Sequence, residues 1–214
     1  MKSVLNAPFD PKTLKPSYEL EKAVSAMGWQ RVGGIDEAGR GPLSGPVVAA
    51  SVILDPRNIP SGLNDSKKLS AVKRRALFLE IVKTSQVGVG VVSAREIDEI
   101  NILQATFLAM TRAVQALPEK ADFYLIDGDK KPPALFDVST AVVKGDARSL
   151  SVAAASIIAK VTRDRIMELA DMRWPGYGFA KHSGYGTKDH IAAINLLGPS
   201  PIHRMSFAPL KSVA

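Results

Sequence analysis

Residues 47–54 read Val-Val-Ala-Ala-Ser-Val-Ile-Leu, and only Ser51 interrupts the apolar run. A run this short, rich in β-branched residues, predicts a central strand buried within a sheet, because a half-exposed strand would alternate polar and apolar positions. Such a strand needs neighbours on either side and helices packed over it. The flanking sequence supplies both. Strands are expected at 31–35, 87–92, 123–127 and about 140–143. Helices are expected at about 17–27, from the cap Ser70 to Thr84, and from Ser93 in a short acidic piece followed by a longer one at 102–117. Pro118 stops that last helix. The longest helix should run from Leu150 to about Met172 and end at Trp174-Pro175-Gly176. A glycine-rich loop, 176–186, leads to a further helix at 188–197. Strands come first and then alternate with helices, which predicts an α/β fold with a mixed central sheet. At 214 residues the chain suits one domain over 29–214, with residues 1–28 as an N-terminal arm.

Asp36 and Glu37 stand where the first strand should end, followed by Ala38-Gly39-Arg40-Gly41-Pro42. A carboxylate beside a buried strand must be paired or must coordinate a cation. The glycines flanking Arg40 let a large ligand approach the backbone. Adjacent strand residues point to opposite faces, so both carboxylates can serve one cleft only if the strand bends or ends there. The other reading is an exposed pair in a turn. Asp127 ends the row Phe123, Leu125, Asp127 on one face of its strand, either as a site residue or as a cap for the turn at Gly128. Asp164 follows Ile157 and Val161 along one helix stripe, where the face passes from buried to solvated; its alternative role is an ion pair with Lys160. In an open sheet, sites gather at the carboxyl ends of strands, where Asp36 and Asp127 both lie.

The sequence contains no cysteine and three histidines. Four carboxylates without thiolates favour oxygen ligation, hence Mg²⁺ or Mn²⁺ over zinc. Two such ions roughly 3.5–4 Å apart activate water and stabilise the leaving oxygen of a phosphodiester. The formal net charge is +7, and ten Lys/Arg against five Asp/Glu lie between Lys144 and Ala214, as expected of a polyanion binder. Lys67, Lys144, Arg148 and Lys181 are candidate phosphate contacts. His182 is a candidate for moving a proton or touching the nucleic-acid backbone, whereas His190 and His203 read as structural. The opening residues do not form a secretory signal, and no segment offers about 18 uninterrupted apolar residues, so a cytoplasmic protein with no membrane contact is expected.

Several strings resemble a known family. Ile35-Asp36-Glu37-Ala38-Gly39-Arg40-Gly41-Pro42-Leu43-Ser44-Gly45-Pro46 is similar to the signature of type 2 ribonuclease H, the bacterial ribonuclease HII family. So are Asn64-Asp65-Ser66-Lys67-Lys68-Leu69, Leu125-Ile126-Asp127-Gly128 and Val143-Lys144-Gly145-Asp146. The match continues through Ala153 to Arg165, His182-Ser183-Gly184-Tyr185-Gly186 and Pro201 to Phe207. This resemblance implies a ribonuclease H-like fold in a likewise monomeric enzyme. It implies a metal-dependent endonuclease that cleaves the RNA strand of RNA–DNA hybrids and incises 5′ of single ribonucleotides in duplex DNA, leaving 5′-phosphate and 3′-hydroxyl ends. It assigns Asp36, Glu37, Asp127 and Asp164 to metal binding and catalysis. Gly39, Arg40 and Gly41 are assigned to the 2′-hydroxyl, and Tyr185 to the sugar of the next nucleotide. Ser44 departs from the more usual alanine, and the C-terminal extension of longer members is missing. The sequence leaves open contact with a protein partner such as a replication clamp. The rivals are another nuclease of this fold class, such as a type 1 ribonuclease H or a junction resolvase, and a non-catalytic hybrid-binding module.

Overall fold

The computed structural model describes residues 15–212, so the first half of the expected arm lies outside the described residues. Five strands form one sheet: β1 (Val32–Ala38), β2 (Val47–Leu54), β3 (Ser85–Val92), β4 (Phe123–Asp127) and β5 (Ser139–Val142). Their order is β3-β2-β1-β4-β5, with β1, β4 and β5 parallel and β2 and β3 antiparallel to their neighbours. The sheet is therefore mixed, as expected. The helices are α1 (Glu19–Ser25), α2 (Ala71–Thr84), α3 (Ala94–Gln115), α4 (Leu150–Arg173), α5 (Phe179–His182) and α6 (Lys188–Leu197).

β2 is buried at all eight positions. Its side chains divide by period two: Val47, Ala49 and Ile53 pack toward α3, whereas Ala50, Val52 and Leu54 meet α2 and α4. β4 divides the same way. Tyr124 and Ile126 face the α3 side, and Phe123 and Leu125 face Leu20 and Val24 of α1 and Val152 of α4. Each fully buried aliphatic side chain, such as Ile35, contributes about 1.5–3 kcal/mol. Helix α1, inside the stretch expected to be an arm, is thus packed into this core.

α3 contains the break that the sequence anticipates between a short acidic helix and a longer one. Ser93 caps the first piece in a reciprocal arrangement with Glu96. Asn101 then leaves the helix at φ 66°, and its side chain accepts from the N–H groups of Leu103 and Gln104, at 3.0 and 3.2 Å, to start the second piece.

α4 crosses the sheet against β1, and its N-terminus is fixed by Glu21. That carboxylate is fully buried and accepts from the Ser149 hydroxyl at 2.6 Å and the Ser151 N–H at 2.9 Å. An anion at this end complements the helix dipole, although burial pushes the Glu21 carboxyl above its ordinary pKa. The close crossing depends on Gly34. A Cβ there would stand 2.1 Å from the carbonyl carbon of Ser151 and 2.3 Å from the nitrogen of Val152. Backbone on both sides leaves nothing free to yield. Gly34→Ala should therefore cost about 3 kcal/mol, the upper end of overpacking penalties, read as a lowered denaturation midpoint. An unchanged midpoint would contradict this packing.

Candidate active site

The site begins where two strands stop pairing. β1 and β4 are parallel, and their register ends at Ile35 opposite Ile126. Asp36 and Asp127 are the next residues on each strand, so they emerge side by side at the carboxyl edge. β1 continues to Ala38, held by β2 alone. Asp36 shares the α4 face with Val32 and Gly34, and Glu37 takes the alternate position. The strand thus runs through the carboxylate pair rather than ending at Glu37, yet both side chains line one cleft, where β1 has no β4 partner beyond Ile35.

That cleft holds about 370 Å³ and is lined by Asp36, Glu37, Gly39, Arg40, Gly41, Ser66, Lys67, Ser156, Lys160, Arg163 and Tyr185. Asp36 is buried and only 6% exposed. Its pKa is raised well above 3.8, first by burial and then by the charges of Asp127, Glu37 and Asp146. Glu37 and Asp127 are also raised, chiefly by burial. Asp146, which the sequence reading left without a role, is pushed to about 6 by burial and by Asp127 and Asp65. Lys67 answers this charge. Burial alone would lower its pKa, but Asp36, Asp65, Asp146 and Asp127 together hold it above the ordinary value.

Each of the four expected carboxylates has a donor. The Asp36 Oδ1 accepts from the Glu37 N–H at 2.7 Å, and Glu37 pairs with Arg40 at 3.3 Å. The Asp127 Oδ1 accepts from the N–H groups of Gly145 at 2.6 Å and Asp146 at 3.4 Å. Asp164 pairs with Lys160 at 2.7 Å and accepts from the Ser183 hydroxyl at 3.2 Å. So the ion pair weighed as the alternative for Asp164 is present. Asp164 opens on a second groove between α2 and α4, and Lys160 borders both spaces. Among the described residues, no three acidic or histidine side chains converge closely enough to enclose a metal as they stand. The donor chemistry nevertheless fits a hard cation: buried Asp36 and half-buried Glu37 and Asp127 are oxygen donors that repel one another.

Two buried arginines escaped the sequence reading. Arg163 donates to the carbonyls of Pro46 (2.9 Å), Ser183 (3.0 Å) and Ser44 (3.1 Å). Arg204 donates to those of Gly45 (2.9 Å), Arg40 (3.0 Å) and Gly39 (2.6 Å). They are 1% and 0% exposed. Burial and the charge of Arg163 push the Arg204 guanidinium down to about 9, so it stays charged at neutral pH. Their work is to shape the turn. Gly39 adopts φ 98°, and a Cβ there would meet the Arg163 Nε at 2.0 Å. In a trans peptide the N–H points opposite to the C=O. With the Gly39 and Arg40 carbonyls drawn inward to Arg204, the amides of Arg40 and Gly41 face away from it, and among the described residues neither is taken up by another group. A usable signal was the buried stripe of α4. Ser156, Ala159, Arg163, Met167 and Ala170 recur at helical spacing, so a charged side chain sits on an otherwise buried row.

Tyr185 reaches the same turn from the glycine-rich loop. Its ring lies 3.7 Å from where a Cβ on Gly41 would be, and it is 49% exposed. The other basic candidates stand elsewhere. Lys144, at φ 55°, and half-buried Arg148 bracket the Gly145–Ala147 turn that holds Asp127, outside the cleft wall. Lys181 pairs with Asp189 at 2.8 Å on the surface. The His182 ring contacts protein backbone at Tyr177 and Gly184, and Phe179 is fully buried.

A family profile described as ribonuclease HII matches residues 33–210, the span that contains every element of the cleft. The chain belongs to the ribonuclease HII family. It is 57% identical over 202 residues to the ribonuclease HII of Magnetococcus marinus, covering 92% of this chain and 95% of that one. The ribonuclease H2 of Pyrococcus horikoshii superposes with a TM-score of 0.71 at 30% identity, over 86% of this chain and 97% of that one. The ribonuclease HII of Archaeoglobus fulgidus, solved in a complex with PCNA, gives 0.70 at 29% identity, over 83% and 95%. Ribonuclease HII enzymes are endonucleases of the ribonuclease H type that act on RNA–DNA hybrids, and the fold is the ribonuclease H-like α/β fold.

The raised carboxylates have a consequence for stability. A group whose folded pKa exceeds its unfolded value stabilises the protein fully below the unfolded pKa, and that contribution is lost as pH rises through the folded pKa. For Asp36 the window opens at 3.8 and extends upward. Metal-free Asp36→Asn should therefore melt at a higher temperature than the parent at pH 7, with the gap closing toward pH 4. A lower melting temperature at pH 7 would contradict the assigned strain.

Proposed function

We propose that this ribonuclease HII cleaves hybrid RNA and also incises 5′ of a single ribonucleotide in duplex DNA, with the metal held by Asp36, Glu37, Asp127 and Asp164. The observation that carries this reading is the pair of outward amides on Arg40 and Gly41 beside the carboxylate cluster and the Tyr185 ring. The 2′-hydroxyl tells RNA from DNA at a site, and bare backbone donors at a rigid turn can find that one group without a run of RNA around it. When bound, Mg²⁺ or Mn²⁺ supplies an activated water and stabilises charge on the leaving oxygen.

The chain's own residues do the rest. Arg204 fixes the amides through the Gly39 and Arg40 carbonyls, and Arg163 packs against Gly39, so little freedom is lost when the substrate docks. Tyr185 offers an apolar face to the sugar that follows the ribonucleotide and sets the scissile phosphate against the carboxylates. Lys160, Arg40 and Lys67 neutralise the carboxylates in the metal-free protein; once a divalent ion takes over that role, their charges are available to phosphate oxygens. Lys144 and Arg148, beside the Asp127 turn, fit contacts with phosphates further along the duplex. The protein acts in the cytoplasm as a monomer in this reading.

The direct test is cleavage of a duplex with one embedded ribonucleotide, with the product ends mapped in Mg²⁺ and in Mn²⁺. Incision 5′ of the ribonucleotide, leaving 3′-hydroxyl and 5′-phosphate ends, is expected; cleavage of long hybrids alone would overturn the finer reading. Asp127→Asn should abolish turnover while hybrid binding persists, and near-normal turnover would remove Asp127 from the metal set. Tyr185→Ala should lower the single-ribonucleotide rate about 10²-fold, the cost of roughly 1 Å of misplacement, at an unchanged melting temperature. If Lys144 and Arg148 meet phosphates, alanine at either position should shallow the slope of log affinity against log salt by about one. An unchanged slope would place them outside the interface.

A further inference from the structure

The loop that carries Tyr185 rests on histidines the activity has not required. The Gly184 N–H donates to the His182 Nδ1 at 3.1 Å, so that nitrogen carries no proton. The proton of His182 is then on Nε2, which faces the Tyr177 carbonyl at 2.8 Å. On the other side, the Ser200 N–H and hydroxyl both lie 2.8 Å from the His203 Nδ1, nearer than the Ser200 carbonyl at 3.3 Å. A backbone N–H can only donate, so the His203 Nδ1 accepts and its proton sits on Nε2. That Nε2 faces the Nε2 of His190 at 3.1 Å. The His190 Nε2 must accept, its proton is on Nδ1, and Nδ1 donates to the Tyr185 carbonyl at 2.9 Å.

One proton arrangement satisfies this whole set, and it runs from Ser200 through two imidazoles to the backbone of Tyr185. Burial keeps it neutral. His190 and His203 are 0% and 3% exposed, burial lowers the pKa of His190, and burial with the neighbouring His190 takes His203 to about 4. The His182 and His190 rings stack with centroids 4.5 Å apart, which ties the two sides together. The loop itself has little slack: Gly184 adopts φ 81°, its carbonyl accepts from the Leu43 N–H at 2.8 Å, and a Cβ on it would meet the Ser44 Oγ at 2.5 Å.

We propose that His182, His190 and His203 are positioning residues that fix the Gly184 amide and the Tyr185 carbonyl, and so hold the Tyr185 ring over Gly41 at the cleft. The proposal rests on the reading of Tyr185 as the ring that packs against the substrate sugar. In this role the three imidazoles act through the loop and set the angle at which the ring meets the sugar.

These three are all the histidines in the chain, so long-range ¹H–¹⁵N spectra of the wild-type protein at pH 7 contain every signal needed. Two Nε2–H tautomers, His182 and His203, and one Nδ1–H tautomer, His190, are expected. A charged imidazole, or an Nε2–H tautomer at His190, would overturn the relay. Kinetics then separate positioning from packing. His190→Leu keeps the bulk and removes the donor, and should lower kcat on a single-ribonucleotide duplex by about 10- to 100-fold with a smaller change in KM. His190→Asn places an amide N–H where Nδ1 donates and should recover most of that loss. Equal loss in both variants, or normal kcat in His190→Leu, would overturn the proposal. Tyr185→Ala in the same assay separates the two readings: normal turnover there overturns the substrate role of Tyr185 and this proposal with it, whereas an impaired Tyr185→Ala beside an unimpaired His190→Leu overturns the positioning role alone.

Discussion

The parallel pairing of β1 with β4 decides where this molecule can do chemistry. Because the register ends at Ile35 and Ile126, the next residue on each strand is a carboxylate with no strand neighbour on that side. Asp36 and Asp127 are brought together by the backbone ladder, not by attraction between their side chains, which repel. The apolar packing of Val47 to Leu54 on both faces supplies the stability against which that repulsion is set. α4 then crosses the sheet, close enough only because Gly34 has no side chain, and carries Ser156, Lys160 and Arg163 to the cleft and Asp164 to the groove beside it.

A second device of the fold uses charge in the opposite sense. Arg163 and Arg204 are buried and their hydrogen bonds go to backbone carbonyls. A fork of fixed donors can hold several carbonyls at once, which an ammonium cannot do with the same geometry. The carbonyls of Gly39 and Arg40 are drawn toward the interior, which turns the amides of Arg40 and Gly41 away from Arg204. The cleft thus has carboxylates on one wall and the Arg40–Gly41 backbone on the other.

Much of this was legible in the sequence, for identifiable reasons. Val47–Leu54 and the row Phe123, Leu125, Asp127 read as strands by their patterning, and the expected caps Ser70 and Ser93 lie where helices start because their side chains accept from the first turn. The passage of Ile157, Val161 and Asp164 from buried to half-exposed matches the stripe along that helix. Less could be read where tertiary contact decides. β1 continues past Asp36 because β2 pairs with it to Ala38, a long-range fact invisible in local pattern. Arg163 was hidden by its neighbour Asp164, and Arg204 lay in a tail with no periodicity. The roles of His190 and His203 depend on which nitrogen faces which group, and only the folded chain fixes that.

The β1–β4 edge forces like charges together beside a buried strand, in readiness for a cation. The most direct measurement is the melting temperature of the metal-free wild type and of Asp36→Asn, each titrated with Mn²⁺. A ligand that binds only the folded state raises stability with concentration. The wild type should rise by several degrees as Mn²⁺ is added, and Asp36→Asn should respond weakly. Equal shifts in the two proteins, or none in the wild type, would contradict the account.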